Sequence, residues 1–451
     1  MKYSNVKGTH DILKDEQRGY DYIETVFETI AANFCFDKIE TPMMEYTDVF
    51  ARGVGEGSDV VRKEMYTFLD KAGRSVTLRP EYTAGIVRMV ISNKMYGNLN
   101  SPLKFSYFGP LFRYERPQLG RYREFHQFGV ECIGNINYTN DAEVISMASI
   151  MLEALGLKKV TVKINTLGGM ETRANYKKAL VDYFSAHIDK MCDDCNERLK
   201  LNPLRILDCK DPNDQEIIAG APKITDYLTK EDKKAFKETK ALLKLLDVKY
   251  KVDTSLVRGL DYYSNTIFEF HFVSRKGVDY GAIGGGGHYS NLVKDLGGPE
   301  LEGVGFSFGI ERLYSLLVDN NILKEDKLGV NLYFMPLSQN EVSIALSLAN
   351  YFRACGYRSE VALNKFKLAA NLKEAERRNT DFAIIVAEEE LHHESVVVKE
   401  MINQQQTIVE IKNLLTFFDK IYQVDRNEKT CHCHEEGHEC HCHDDDNDDI
   451  N

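Results

Sequence analysis

The sequence predicts an α+β body that carries a helical insertion, followed by a separate small α/β unit. Residues 101–134 alternate and then reverse, as the two strands of an antiparallel hairpin do. Residues 171–250 turn to Lys/Glu-rich helical patterns, including the run KEDKKAFKETK, without Gly-rich strands. Beyond residue 330, strand and helix patterns take turns, which argues for a small α/β domain.

Taken in order, Tyr20, Ile23, Val26, Phe27, Ile30, Ala31 and Phe34 recur at helical spacing and predict a helix over 15–34. FDKIETP reads as a short strand ended by Pro42. After the hairpin and the insertion, strand patterns return in SLVRGLDYYSNTIFEFHF. The Gly-rich segment GAIGGGGHYSNLV reads as a loop, and GVGFSFGIERLYSLL as strand into helix. DNNILKEDKLG (319–329) is a linker. NLYFMPL, YRSEVAL and DFAIIVAEEE then read as strands. EVSIALSLANYFRACG is a helix stopped by Gly356, and KLAANLKEAERRN another. VVVKEMINQQQTIVEI suggests a hairpin and NLLTFFDKIY a last helix. The expected domains are a body over 1–325 with its insertion at 171–250, an α/β unit over 330–424, and a tail over 425–451.

Length and composition fit a globular chain with ample core. The 451 residues are 43% hydrophobic and 28% charged. No stretch approaches the ~20 apolar residues of a membrane span, and MKYSNVKGTHDILKDE lacks the apolar run of a signal peptide. The expectation is therefore a cytoplasmic protein with no membrane partner. The ten Cys give no disulfide framework, because six are scattered through the body. The tail holds ten acids against two bases, so most of the net charge of −12 sits there. Bulk charge gives no sign of nucleic-acid binding but leaves room for a local basic site.

One such site is FRYERPQLGRYREFHQFGVE (112–131). Strand alternation places Arg113 and Glu115 on one face, with Phe112 and Tyr114 on the other. On the return strand Phe125, Gln127 and Glu131 share one face, and His126, Phe128 and Val130 the opposite, mostly apolar one. The polar face offers a guanidinium fork for phosphate or carboxylate, a ring to stack on a base, and carboxylates to accept from amines. A solvated hairpin with cross-strand ion pairs is the plainer alternative. Gly129 and Phe125 beside the charges favour a pocket floor. Arg116, Gln118 and Arg121 fall at the turn, where a polyanion can be met.

This segment resembles motif 2 of the class II aminoacyl-tRNA synthetases, and specifically that of the histidyl-tRNA synthetase family. The resemblance runs over nearly the whole chain. KGTHD opens it, and IETPMMEYTDVFARGVGEGSDVVRKEMYTF resembles motif 1 and its sequel. TLRPEYTAGIVR resembles the amino-acid binding segment, and LVRGLDYYSNTIFE a signature peculiar to the histidine enzymes. GGGGHYSNLV and GVGFSFGIERL, the latter like motif 3, complete it. The resemblance implies a large antiparallel sheet flanked by helices, a C-terminal anticodon-binding-like domain and a homodimer with motif 1 at its interface. It implies activation of L-histidine by ATP and Mg²⁺, then transfer of histidine to its tRNA.

The resemblance also assigns roles. Arg258 and Arg113 are the expected catalytic cations. Glu81, Thr83 and Gln127 would meet the histidine ammonium, and Glu131 and Tyr263 its imidazole. Arg113 and Arg258 would lie near its carboxylate. Tyr262 and the backbone of Gly284–Gly286 would line the wall. Arg113, Arg121 and Arg312 would hold ATP phosphates, with Glu115 and Phe125 on the adenine. Arg116 and Gln118 would meet the tRNA acceptor end. Arg123 receives no role. The family usually carries Arg and Asp where this chain has His288 and Ser290, so a permanent charge becomes a titratable one.

A rival reading is the non-catalytic, histidine-sensing regulatory relative of histidine biosynthesis, which keeps the core but loses ATP-site residues and the C-terminal domain. Arg113, Arg258, Arg312 and the 330–424 unit all argue against it. A prolyl or threonyl enzyme is disfavoured by RGLDYY and Glu131. Finally, Cys192, Cys195 and Cys209 form an incomplete zinc pattern, with His187 a candidate fourth ligand. The tail run CHCHEEGHECHCH offers Cys431, His432, Cys433, His434, His438, Cys440, His441, Cys442 and His443 to zinc or another soft transition metal. It has no apolar residues and is expected to be disordered without a ligand.

Overall fold

The computed structural model describes residues 3–55, 58–97, 100–116, 121–274, 277–323, 329–364, 366–424 and 426. Gln118 and the Cys/His tail therefore lie outside the described residues. The chain forms two compact units, Met1–Glu325 and Asp326–Asn451.

The first unit is built on an eight-stranded sheet. Its strands run in the order Asp37–Lys38, Leu103–Phe112, Glu124–Gly134, Glu302–Gly309, Asp279–Tyr289, Ser264–Val273, Val160–Thr166 and Tyr250–Val252. The six inner strands pair antiparallel, and each outermost strand pairs parallel to its neighbour. The sheet is thus mixed at its edges. The Gly-rich segment is a central strand here, where the sequence reads as a loop. Gly284–Gly287 pair in unbroken register with strand Glu302–Gly309, whereas Gly281 takes a φ of 66° where the pairing with strand Ser264–Val273 is irregular.

One sheet face is covered by helices Asp15–Asn33, Tyr138–Ala154, Lys230–Leu245 and Ile310–Asp319. Phe27 of the first helix is fully buried against Phe128 and Phe308, with ring centroids 5.0 and 5.4 Å away. Phe128 and Val130 join this core, as the alternation of the return strand predicts. Tyr114 does not. The outgoing strand ends at Phe112, so Tyr114 leaves the pleat and is exposed. Its ring instead lies 3.7 Å from the Arg123 guanidinium carbon. Arg123 N–H donates to the Gly8 carbonyl, which gives that arginine a structural place at the hairpin base. The FDKIETP strand is reduced to Asp37–Lys38.

Helices Met170–Ser185, Asp193–Leu201 and Pro212–Ala219 form their own cluster around Leu180, Phe184, Cys195 and Ile206. Lys230–Leu245 instead buries Phe236 and Leu243 in the main core. The second unit has a five-stranded sheet in the order Ser359–Val361, Leu332–Pro336, Phe382–Val386, Ser395–Glu400, Gln406–Glu410. The first three are parallel and the last two add on antiparallel. Helix Val342–Ala354 ends before Gly356, whose φ of 90° suits glycine. Arg377 and Arg378 both pair with Glu374, so these charges are satisfied locally.

His288 lies between Gly287 and Tyr289 and so faces the covered side of the sheet. It is 2% exposed, with Nδ1 2.8 Å from Asp141 Oδ1 and Nε2 2.7 Å from Glu302 Oε2. Burial opposes its charge, but the two carboxylates outweigh it and lift its pKa from 6.5 to about 10. It remains an imidazolium at neutral pH. Its stabilising contribution is complete below pH 6.5 and fades as pH rises toward 10. His288→Gln should cost ~3 kcal/mol at pH 6 and much less at pH 10, measured by urea unfolding. An equal cost at both values would show that the charge contributes nothing.

Candidate functional site

The opposite face of the large sheet, packed in part by helix Thr83–Ser92 and by the insertion, holds a cleft of two adjoining chambers, of about 390 and 310 Å³. The first is lined by Glu81, Thr83, Gln127, Glu131, Tyr262 and Tyr263. The second is lined by Phe125, Gly284, Gly285 and Arg312. Arg113, Glu115, Arg121, Gln127 and Arg258 border both.

The first chamber is a hydrogen-bonded cup. Glu81 accepts from the backbone N–H groups of Thr83 and Ala84 at 2.7 and 2.9 Å. These are orphan donors at the start of helix Thr83–Ser92, so Glu81 caps it and Thr83 is freed to face the cleft. Thr83 Oγ1 donates to Glu131 Oε1 at 2.6 Å, and Tyr289 O–H to Glu131 Oε2 at 2.8 Å. Tyr262 O–H in turn donates to Thr83 Oγ1 at 3.3 Å. Burial, helped by the charge of Glu81, overcomes these hydrogen bonds and lifts Glu131 from 4.5 to about 8. Tyr107, Tyr262 and Tyr289 are pushed well above 10 by burial and remain neutral phenols.

Arg258 stands at the junction. Its loop precedes strand Ser264–Val273, and Nη1 lies 2.8 Å from Glu269 Oε1 on that strand. Burial opposes its charge, yet Tyr263 and Glu269 raise its pKa above the ordinary value. Its Nε–H is buried and has no hydrogen-bond partner among the described residues. Arg113 Nε donates to the Pro80 carbonyl at 2.8 Å, and its guanidinium carbon sits 5.3 Å from the Phe125 ring centroid.

The second chamber carries concentrated positive charge. Arg312 donates to the Tyr280 carbonyl at 2.8 Å. Burial and then the nearby Arg121 depress its pKa. Two guanidinium groups that repel one another at the mouth of a chamber suit a polyanion. Arg121 is shared with Glu115 at 3.5 Å. Glu64 lies alongside, its pKa raised by burial and by Glu115 against the pull of Arg113. An acidic pair of this kind suits a hard divalent cation.

The structure thus brings together Glu81, Thr83, Arg113, Glu115, Arg121, Phe125, Gln127, Glu131, Arg258, Tyr262, Tyr263 and Arg312. Arg116 is exposed and borders neither chamber. Of the wall glycines, Gly285 and Gly287 face the cleft, and Gly284 and Gly286 back onto the core at Phe308 and Phe306. Tyr107, Tyr289, Glu64 and Glu269 belong to the site without standing out in the sequence. Tyr289 had a signal, because it continues the period-2 face of Gly285 and Gly287. In the insertion, Cys192, Cys195 and Cys209 converge as expected from their spacing, but Asp214, not His187, is the fourth member. The His187 ring packs instead on Tyr183 at 5.0 Å.

Because Glu131 titrates near 8 when folded and near 4.5 in its ordinary state, folding stability falls as pH rises through that window. Between pH 5 and 9, the protein should lose ~2 kcal/mol or more relative to Glu131→Gln in urea unfolding. Parallel pH profiles would show that ionising Glu131 costs the fold nothing.

The sequence profile described as histidyl-tRNA synthetase matches residues 8–313, and that described as anticodon binding domain matches 331–421. A protein of Geobacillus sp. (strain WCH70) named histidine--tRNA ligase is 44% identical over 420 residues, spanning 92% of this chain and 99% of that protein. One of the same name from Geobacillus thermodenitrificans (strain NG80-2) is 42% identical over 420 residues, spanning 92% and 98%. The solved apo structure of Staphylococcus aureus histidyl-tRNA synthetase superposes with a TM-score of 0.78 at 36% identity, covering 92% of this chain and all of that one. The chain belongs to the histidyl-tRNA synthetase family.

Proposed function

We propose that this chain is a histidine–tRNA ligase that works through the two-chambered cleft. The observation that carries the reading is the junction: Arg113, Gln127 and Arg258 border both chambers, and Arg258 keeps a buried N–H unpaired among the described residues. The reaction needs an amino-acid carboxylate and an α-phosphate held against each other although both are anionic. Guanidinium groups between two chambers suppress that repulsion at any working pH.

Histidine occupies the first chamber. Its ammonium faces Glu81, Thr83 and Gln127, and its imidazole meets Glu131 and Tyr263. A cup already closed by Thr83, Tyr262 and Tyr289 rejects apolar analogues, which would leave buried polar groups unpaired. ATP occupies the second, with its adenine between Phe125 and Glu115 and its phosphates near Arg113, Arg121 and Arg312. Mg²⁺ would accompany the nucleotide, with Glu64 as the acid on hand, and when bound would neutralise phosphate charge. The carboxylate attacks the α-phosphorus, pyrophosphate leaves, and histidyl-adenylate remains. A hydroxyl of the terminal adenosine of histidine tRNA then attacks the carbonyl and AMP leaves. Arg116 and Gln118 meet that acceptor end, and the second unit meets the anticodon. Zinc, where bound, belongs to the insertion cysteines and lies outside the cleft. The tail is read as a metal-binding segment dispensable for this reaction. The regulatory, non-catalytic reading is not favoured, because the cations of the ATP chamber are all present.

Arg258→Ala should slow histidine-dependent exchange of pyrophosphate into ATP by ~10²-fold or more in kcat. Near-normal exchange would return Arg258 to a structural role.

A cytoplasmic homodimer is part of the same proposal. Its support is the small sheet formed by Met44–Tyr46, Ser75–Leu78 and Tyr66–Leu69. Met44, Tyr46 and Phe68 share one face of it and are exposed, an apolar patch that a partner copy would cover. Light scattering should give twice the chain mass, and Met44→Glu with Phe68→Glu should shift it toward one. A monomeric parent protein would remove the dimer from the account.

A further inference from the structure

Four metal-binding side chains meet inside the insertion, on no wall of either catalytic chamber. Cys192 precedes helix Asp193–Leu201 and Cys195 lies in its first turn. Cys209 follows the short helical turn Pro203–Asp208, and Asp214 lies on helix Pro212–Ala219. Cys195, Cys209 and Asp214 are buried. Their ligand atoms and that of Cys192 all lie within 4.8 Å of one another.

The spacing fits a metal better than a disulfide. The sulfurs of Cys192 and Cys209 are 3.8 Å apart, against ~2.05 Å for a disulfide. Two thiolates at ~2.3 Å on a tetrahedral Zn²⁺ stand ~3.8 Å from each other. Cys209 Sγ lies 3.2 Å from Asp214 Oδ2. Asp214 is fully buried, yet among the described residues it pairs with no Lys or Arg. Its hydrogen-bond donors are the Cys192 backbone N–H and the surrounding thiols, Cys209 among them. A buried carboxylate without a cation is costly, and a divalent ion among three thiolates supplies one.

The segment between Cys195 and Cys209 also grips the catalytic loop. Arg205 donates to the Arg258 carbonyl at 3.0 Å and to Asp59 at 3.1 Å. Arg198 reaches the same Asp59 oxygen at 3.1 Å, and Asn202 donates to Asp261 at 2.8 Å.

We propose that Cys192, Cys195, Cys209 and Asp214 bind one structural Zn²⁺, which locks the 195–209 segment onto the loop that carries Arg258. Each thiol gives its proton to solvent as its Zn–S bond forms. The lock rests on the catalytic role proposed for Arg258, whereas the metal site does not.

The test uses the full chain with the nine Cys and His of residues 431–443 replaced by Ser, so that the tail contributes no ligands. After dialysis it should retain one Zn²⁺ per chain. Cobalt exchanged into it should show thiolate charge-transfer absorption and the strong visible band of a tetrahedral site. Cys195→Ser should abolish both, and Asp214→Asn should weaken retention. No retained zinc, or a cobalt spectrum indifferent to Cys195→Ser, would overturn the site. Zinc stripped from the unsubstituted cluster by a chelator should lower the kcat of pyrophosphate exchange by ~10-fold or more, restored by added Zn²⁺. Unchanged exchange in zinc-free protein would overturn the lock while leaving the site.

Discussion

Everything in the cleft depends on a sheet face stripped of side chains. A Cβ on Gly285 would come within 2.9 Å of Arg258 Nη1, and one on Gly287 within 2.9 Å of the Tyr263 ring. At Gly305 it would overlap the Glu131 carboxylate, and at Gly129 the Tyr107 hydroxyl. Four polar or cationic side chains therefore lie flat on bare backbone. The platform under them is hydrogen-bonded on both sides and backed by an aromatic core, so it has little freedom to yield. A site built this way holds its reacting groups to within fractions of an ångström, which is what in-line chemistry between two anions demands.

Charge divides the cleft along the same platform. On one side, buried carboxyls and phenols gather, Glu131 accepts from Thr83 and Tyr289, and burial keeps it near neutrality until a basic partner arrives. On the other, guanidinium groups crowd together with partial compensation from Glu115 and Glu64. Arg258 belongs to both sides and is braced from behind by Glu269. The same division explains His288. It faces away from the cleft, where Asp141 and Glu302 keep it charged.

Much of this was legible in the sequence, for physical reasons. Period-2 alternation survives wherever a strand has one buried face, and so Gln127 and Glu131 fall on the cleft side and Phe128 and Val130 on the core side. The alternation fails at Tyr114, because the strand stops two residues earlier and its side chains no longer follow the pleat. The Gly-rich strand was hidden by composition: four glycines read as a loop until neighbouring strands supply the register. Glu269 and Asp214 were hidden by distance. Each acts on a partner brought close only by the fold, and a lone acid in a strand or helix gives no local signal.

A cleft divided in this way should select histidine and activate it with ATP. Pyrophosphate exchange into ATP, measured for each of the twenty amino acids at saturating MgATP, tests it most directly. Exchange is expected with histidine and none above background with the others. Exchange led by another amino acid, or absent with all of them, would contradict it.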